Sequence, residues 1–222
     1  MTDLVLEAPP VVLSAPSGVG KTTIARTLVR REEDFAFSVS ATTRSRRNRE
    51  VHGVDYWFLS REEFVRRVES GEFAEWAEVH GELYGTPLSS LAAAGRGGRH
   101  VILDIDVQGA RQIREAVPQA LLLFILPPSV DILLSRLKAR GTEEAPAIRR
   151  RLRTALEELE AAEAFDFFVV NDDLERAIGE VRTIARTRRA PLGGSSGALE
   201  DATALRDEVT ALLSQDTLFE TQ

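Results

Sequence analysis

Hydrophobic residues in this chain fall into short continuous runs separated by longer polar stretches. Apolar runs at residues 11–13, 101–103, 120–126 and 167–170 are typical of strands that are buried on both faces. A further strand is expected at residues 35–39. Helices are expected after the runs, at residues 22–31, 107–116, 129–164 and 173–188. Buried strands that alternate with helices indicate an α/β fold, in which a parallel sheet is flanked by helices.

Residues 40–96 interrupt this alternation and have short elements of their own. Ser60 resembles a helix N-cap, because Glu62 and Glu63 follow in the first turn, and Gly71 ends that helix. The segment therefore predicts an inserted small α+β subdomain. Besides this helix we expect an arginine-rich loop at residues 40–54 and a short helix at residues 87–94. Two strands are expected at residues 56–59 and 72–79.

The end of the chain differs in composition from the rest. Residues 191–197 have the composition of a linker, and residues 199–213 could form an acidic amphipathic helix. From Ala190 onward there are six acidic residues and one arginine. We therefore expect residues 191–222 to be a linker and acidic extension on the surface, whose removal leaves activity within about a few-fold.

Composition excludes several classes of protein. The chain has 222 residues, of which 43% are hydrophobic and 28% charged, as in globular proteins. The absence of cysteine excludes disulfide frameworks and thiol catalysis and suits the cytoplasm. No apolar run is long enough to span a membrane, and residues 1–10 lack the basic start of a signal peptide. The net charge is −7 overall, but residues 1–189 hold 27 basic and 29 acidic residues and are nearly neutral, which argues against a nucleic-acid partner; the oligomeric state stays open.

A glycine-rich loop follows the first predicted strand and precedes a predicted helix. It is close to the phosphate-loop pattern G-x-x-x-x-G-K-[ST], with alanine in place of the first glycine. In such loops backbone N–H groups surround phosphates, the lysine reaches the β and γ phosphates, and the hydroxyl binds Mg²⁺. Lys21 is one of only two lysines among 28 basic residues. The loop comprises Ser14, Ala15, Pro16, Ser17, Gly18, Val19, Gly20, Lys21, Thr22 and Thr23.

Other charged residues suggest a second anionic substrate. Asp104 ends the apolar run at residues 101–103, where the aspartate of phosphate-loop folds faces Mg²⁺, usually through water. Asp106 follows, either in a similar role or as the N-cap of the next helix. Arginines crowd the loop after residue 43 and the stretch at 129–164, where they form a solvated face or bind phosphates. Two such groups beside a phosphate loop indicate phosphoryl transfer between two nucleotides.

At this point the residues resemble those of guanylate kinases, in an ordered match over roughly residues 10–188. The matching segments include residues 38–44, 50–56, 71–77, 84–86, 104–109, 124–129, 140–142 and 170–173. The resemblance implies transfer of the γ-phosphoryl group of ATP to GMP, giving ADP and GDP, with Mg²⁺. It also implies a domain at residues 1–190, with a core at 10–39, 97–128 and 165–188, a GMP-binding insertion at 40–96 and a helical lid at 129–164.

The resemblance also assigns roles to residues. Catalysis falls to Lys21 and to arginines of the two clusters, Arg44, Arg136, Arg140 and Arg151. Asn171 lies near the adenine of ATP, and Thr22 with Asp104 binds Mg²⁺. The GMP phosphate is held by Arg44, Arg47, Tyr56 and Tyr84, while Ser40 and Glu75 recognise guanine and Thr86 and Asp106 assist. A carboxylate suits guanine, because N1–H and the N2 amine are adjacent donors that adenine lacks.

One loop departs from the family pattern, and two other functions compete. The sequence Arg46-Arg47-Asn48-Arg49-Glu50 stands where the family often has Pro-Arg-x-Gly-Glu. A related phosphate-loop kinase, such as a ribosyl-bisphosphate phosphokinase, would not need the carboxylate of Glu75. A non-catalytic guanylate-kinase-like binding module would typically lack the loop lysine or the phosphate-binding groups, all of which are present here. The acceptor could include dGMP as well as GMP.

Overall fold

The computed structural model describes residues 6–79, 81–138, 145–191 and 198–214. Its strands are β1 (Val11–Ser14), β2 (Phe35–Phe37), β3 (Ala41–Thr42), β4 (Trp57–Phe58), β5 (Phe73–Val79), β6 (Glu82–Pro87), β7 (His100–Asp104), β8 (Leu121–Leu126) and β9 (Phe167–Val170). Its helices are α1 (Lys21–Arg31), α2 (Arg61–Glu69), α3 (Leu88–Ala94), α4 (Val107–Ala116), α5 (Val130–Lys138), α6 (Ala145–Glu160), α7 (Leu174–Thr187) and α8 (Ala198–Leu213), with a 3-10 helix at Ala162–Ala164.

Five strands form the larger sheet, in the order β2-β7-β1-β8-β9. Strand β2 pairs with β7, and β8 with β9, in both cases in parallel. Every residue of β1 and β8 is buried, as expected of central strands covered by helices on both faces. The predicted α/β class with a parallel sheet is confirmed.

Four strands form a smaller sheet, in the order β4-β3-β6-β5. Its antiparallel pairs β3–β6 and β5–β6 place Glu75 opposite Thr86. Helix α2 packs under this sheet through Phe64, which is fully buried and stacks on Phe73 with ring centroids 4.4 Å apart. Ser60 caps α2, as predicted, because its side chain accepts a hydrogen bond from the Glu63 N–H.

The described residues divide into two compact units. The first unit comprises residues 6–12 and 29–121, which include the whole four-stranded sheet. The second unit comprises residue 13–28 and the described residues from 122 onward, which include the phosphate loop and helices α5 to α8. None of the helices in the described ranges has both the length and the apolar content that crossing a membrane requires.

Helix α8 lies within the predicted linker and acidic surface extension, and one of its faces is packed against the rest of its unit. It packs on α6 and also contacts α5, β9 and the 3-10 helix. Ala202, Leu205 and Val209 are buried at spacings of three and four residues, and Val209 is fully inaccessible. The acidic residues of α8 lie on its other faces, so composition alone suggested a surface extension although one face is part of the core. Residues 192–197 and 215–222 of the predicted extension lie outside the described residues.

Candidate active site

The phosphate loop adopts a conformation that its glycines make possible. Gly18 and Gly20 have φ angles of 89° and 104°, a region that residues with a Cβ rarely occupy. The loop leaves β1 at the buried Ser14, and α1 begins at Lys21, which is half-buried; Thr22 and Thr23 are exposed. Within the loop, Ala15, Pro16 and Val19 are buried. Backbone N–H groups at a helix N-terminus form a favourable anion site, which is the predicted role of this loop.

Asn171 and Arg136 hold the loop from outside. The Asn171 amide donates to the Val19 carbonyl oxygen at 2.7 Å, and the Arg136 guanidinium donates to the same oxygen at 2.9 Å. Arg136 also donates to the Asn171 carbonyl oxygen at 3.1 Å. A Cβ at Gly20 would lie only 2.5 Å from the Asn171 amide nitrogen. Arg136, predicted for the lid, and Asn171, predicted to lie near adenine, therefore both contact the backbone of the phosphate loop and support it.

Helix α6 contacts the loop at Ser17. The Ser17 N–H donates to a Glu158 carboxylate oxygen at 3.2 Å, and an Arg151 nitrogen lies 3.5 Å from the Ser17 hydroxyl. Arg151 also donates to the Leu137 carbonyl oxygen at 2.8 Å, at the end of α5. The predicted residue Arg151 therefore lies at the loop. Arg140, which was predicted alongside it, lies outside the described residues.

Glu75 is a buried carboxylate in the first unit. It lies on β5 and is 7% exposed, and the Thr86 hydroxyl on β6 donates to its Oε1 at 2.6 Å. Burial raises the pKa of Glu75, and the nearby Asp106 carboxylate raises it further, although the Thr86 hydrogen bond lowers it. The structure thus places two residues predicted for guanine recognition in direct contact. Ser40, predicted to recognise guanine together with Glu75, is half-buried, directly before β3.

The residues predicted to hold the GMP phosphate form an aromatic and basic cluster. The Arg44 guanidinium carbon lies 5.4 Å from the centroid of the Tyr56 ring, and the Tyr56 and Tyr84 rings are 6.3 Å apart. Arg44 donates two hydrogen bonds to Glu50, at 2.8 and 3.1 Å. These bonds hold the pKa of Glu50 below its usual value. Arg47 is exposed, and its backbone N–H donates to Glu50 at 2.7 Å.

Asp104 and Asp106 have different environments. Asp104 ends β7 and is half-buried, as expected of a carboxylate at the C-terminal edge of a parallel sheet. Asp106 is the N-cap of α4, because its side chain accepts a hydrogen bond from the Gly109 N–H at 2.8 Å. Of the two roles left open for Asp106, the structure shows the cap. Within the described residues no three His, Cys, Asp or Glu side chains cluster as metal ligands, so a cation here would also need oxygen atoms from substrate and water.

Sequence analysis did not identify Glu50, Gln112 and Glu158. Glu50 neutralises Arg44, and Glu158 accepts from the phosphate loop. Gln112 of α4 makes two hydrogen bonds to the backbone of Trp76. Each contact depends on the tertiary structure, and only Glu50 lies close in sequence to its partner. For Glu50 the sequence did hold a signal, because the neighbouring Arg49 stands where the family often has glycine. Arg49 adopts a φ of 79°, as a glycine would, so the loop keeps its turn there.

Comparisons with known proteins agree with this arrangement. The family model described as guanylate kinase matches residues 7–188. The guanylate kinase of Nitratidesulfovibrio vulgaris is 54% identical over 172 residues, covering 78% of this chain and 83% of that protein. That of Symbiobacterium thermophilum is 47% identical over 189 residues, covering 85% and 90%.

A solved structure extends the comparison to three dimensions. The crystal structure of guanylate kinase from Anaplasma phagocytophilum matches with a TM-score of 0.59 and 36% identity, covering 83% of this chain and 88% of that one. The family model ends before α8, and the phosphate loop, Glu75 and Arg44 all lie within the matched segment. This chain belongs to the guanylate kinase family of nucleotide-binding kinases.

Proposed function

We propose that this chain transfers the γ-phosphoryl group of ATP to GMP, giving ADP and GDP, in the presence of Mg²⁺. The observation that carries the proposal is the buried pair of Glu75 and Thr86. Thr86 occupies Oε1 of Glu75 with one hydrogen bond, and each carboxylate oxygen has a second lone pair. The carboxylate can therefore accept hydrogen bonds from guanine N1–H and the N2 amine. Adenine offers an acceptor at N1 and no amine at C2, so AMP would leave the charge unpaired.

The phosphate end of GMP would meet Arg44, Tyr56 and Tyr84. Arg44 is paired with Glu50, and its guanidinium presents a planar pair of donors that suits phosphate as well as carboxylate. Ring contacts with Tyr56 limit the positions that Arg44 can adopt. The cluster therefore supports a site where a phosphate replaces Glu50 as the partner of Arg44. The exposed Arg47 could add a second positive charge.

Phosphoryl transfer at this site needs positioning and charge stabilisation. An oxygen of the GMP phosphate attacks the γ-phosphorus of ATP, and the bond from that phosphorus to the bridging oxygen breaks, which releases ADP. The attacking oxygen is already anionic, so no general base is required. Lys21 and the lid arginines would stabilise the negative charge that spreads over the transferred group, which is the main catalytic contribution in such reactions.

The residues present fit a magnesium ion. Mg²⁺ prefers oxygen ligands and keeps several waters, and it is usually held by one or two side chains plus substrate phosphates. Thr22 would supply a hydroxyl beside the phosphate loop and Asp104 a carboxylate that acts through water. When bound, the ion neutralises charge on the β and γ phosphates. A cytoplasmic location stays a prediction that rests on the cysteine-free composition.

A panel of nucleoside monophosphates tests the proposed acceptor. ADP formation from ATP is measured with GMP, dGMP, AMP and IMP, for the wild-type protein and for Glu75→Gln. We expect GMP to be preferred over AMP by at least about 10³ in kcat/KM, since unpaired buried polar groups reject the wrong ligand. In Glu75→Gln the preference should narrow. An unchanged ratio of GMP to AMP would show that guanine is recognised elsewhere.

Substitution of Lys21 separates the kinase from a binding module. Lys21→Ala should retain GMP binding and lose turnover by several orders of magnitude, because the lysine charge acts most strongly in the transition state. Lys21→Arg should also be slow, because a guanidinium is too broad for the slot beneath the phosphates. GMP binding measured by calorimetry is the control. Turnover close to the wild-type rate in Lys21→Ala would contradict the catalytic role of the loop.

A further inference from the structure

Strand β5 lies at one edge of the four-stranded sheet, and among the described residues its partner strand is β6. Its outer side is covered at Trp76 by a side chain of α4. The Trp76 N–H donates to Gln112 Oε1 at 3.0 Å, and Gln112 Nε2 donates to the Trp76 carbonyl oxygen at 2.9 Å. One amide side chain therefore satisfies both polar backbone groups of Trp76, as a neighbouring strand would.

Trp76, whose backbone is held by these two hydrogen bonds, directly follows Glu75. In a strand, successive residues point their side chains to opposite faces, so a shift of Trp76 along or across the sheet also moves the Glu75 side chain. Helix α4 contacts that carboxylate as well. A Cβ built on Gly109 would lie 3.2 Å from Glu75 Oε2, so the α4 backbone lies directly behind the carboxylate.

The groups on α4 that face β5 are spaced three residues apart. Asp106, Gly109 and Gln112 therefore share one face of the helix. Asp106 fixes the first turn as N-cap, Gly109 allows the close approach to Glu75, and Gln112 bonds to the Trp76 backbone. Together they hold the carboxylate at a set distance from the helix.

We propose that Gln112 is a positioning residue for guanine recognition. It does not touch the nucleotide; it fixes the backbone beside Glu75 so that the carboxylate can face N1–H and the N2 amine together. The inference rests on the proposed function, because it assumes that Glu75 recognises guanine. Two parallel hydrogen bonds to one base edge tolerate little misplacement of the carboxylate. Loss of the Gln112 hydrogen bonds to Trp76 should therefore weaken one of the two bonds between Glu75 and guanine before the other.

The test uses two variants at this position and one control on the same helix. Gln112→Ala removes both hydrogen bonds to Trp76. Gln112→Glu keeps an acceptor for the Trp76 N–H and replaces the donor to the Trp76 carbonyl with a second oxygen, at nearly constant size. Glu115→Ala is the control, because Glu115 is exposed and lies one turn further along α4. Thermal unfolding midpoints are measured for all three, and Gln112→Glu decides alone if Gln112→Ala does not fold.

Kinetics with GMP, IMP and ATP distinguish positioning from general support. IMP lacks the N2 amine, so it can donate only N1–H to Glu75. In both Gln112 variants we expect KM for GMP to rise about tenfold and the GMP to IMP ratio of kcat/KM to fall several-fold, as the loss of one or two hydrogen bonds implies. The KM for ATP and the kcat at saturating GMP should stay within about twofold, and Glu115→Ala should behave as wild type.

Two results would overturn the inference. One is an unchanged KM for GMP together with an unchanged GMP to IMP ratio. The other is an equal rise of KM for GMP and KM for ATP while the GMP to IMP ratio of kcat/KM stays constant. That result would indicate general structural support. Neither affects the proposed function if the wild-type protein prefers GMP. A wild-type protein without that preference would instead refute the proposed function.

Discussion

Glu75 and Glu50 are carboxylates of the same unit whose pKa values move in opposite directions. Glu50 accepts two hydrogen bonds from Arg44, which hold its pKa low. Glu75 is buried, and the Thr86 hydroxyl that donates to it carries no charge. Burial therefore raises the pKa of Glu75 above the ordinary 4.5. Raised pKa values in buried carboxylates are common where a ligand later supplies the missing donors. For Glu75 those donors would be the N1–H and N2 amine of guanine.

This shift predicts a pH dependence of GMP binding. A protonated Glu75 cannot accept both hydrogen bonds, so KM for GMP should rise as pH falls through the raised pKa, at a higher pH than an ordinary glutamate would require. The measurement is KM for GMP and for ATP against pH, in wild type and in Glu75→Gln. The variant should lack this rise, and KM for ATP should not follow it. Full wild-type GMP affinity down to pH 4.5 would contradict the shift.

The same shift has a defined effect on folding. Folded Glu75 holds its proton more tightly than the unfolded chain does. Between the unfolded and folded pKa values, the folded state therefore binds more protons, and the free energy of unfolding decreases as pH rises. Above the folded pKa this contribution is constant. Glu75 thus lowers stability at neutral pH, as expected of a group that is placed for a ligand rather than for the fold.

Helix α8 is expected to contribute to the stability of the second unit. Val209 is fully buried, and α8 packs on α6. Val209→Ala should lower the free energy of unfolding by about 1–3 kcal/mol, from lost burial and the cavity that remains. Leu199→Ala is a matched control, because Leu199 lies on the same helix and is 45% exposed. The measurement is denaturant unfolding of both variants.

Equal effects of the two substitutions would contradict the packing of α8. Removal of the chain after Ala190 should destabilise the protein more than Val209→Ala, because it also exposes the partners of Leu205 and Ala202. The expectation that truncation after Ala190 leaves activity within about a few-fold stays a prediction, and it concerns activity rather than stability. A loss of activity after truncation should be reduced by lowering the temperature if it arises from stability.

Elements with strong local signals were predicted almost to the residue. The apolar runs became β1, β8 and β9, and the predicted helix at 107–116 matches α4. Strand β6 was missed, because Gly85 and Pro87 lie within it and both are uncommon inside strands. Strand β3 has only two residues, within the predicted loop, and β2 ends two residues earlier than expected. These short strands form through their neighbours rather than through their own propensity.

The site was predictable only in part, for a related reason. The phosphate loop carries its signal within ten residues, so its position between β1 and α1 followed from the sequence. Glu75 could be named only through the family resemblance, because its burial and its contact with Thr86 depend on sheet register. The docking of α8 was hidden, because its acidic residues outnumber the three residues that are buried.

For the molecule as a whole, the residues predicted for the two nucleotides belong to different units. Those predicted for GMP, from Ser40 to Asp106, lie in the first unit. The phosphate loop and the described residues of the ATP set at Arg136, Arg151 and Asn171 lie in the second. Since a ligand stabilises most strongly the segments that it contacts, each nucleotide should leave a different pattern of protection.

Hydrogen exchange measures that pattern. GMP alone should slow amide exchange most in β5, β6 and the loop around Arg44. ATP with Mg²⁺ should slow exchange most in the phosphate loop and the start of α1. AMP in place of GMP is the control and should leave β5 unprotected. If GMP protected the phosphate loop most strongly, the assignment of nucleotides to units would be reversed.

The contacts around the phosphate loop bear on how fast a nucleotide can bind. Val19 accepts hydrogen bonds from Asn171 and Arg136, and the Ser17 N–H already donates to a carboxylate. These contacts with the rest of the protein hold the loop in its curved form, so most of the loss of backbone entropy belongs to folding rather than to binding. Association with ATP then requires no slow ordering of the loop. Its rate should be set by diffusion and electrostatic attraction, and affinity among related nucleotides by how quickly each one leaves.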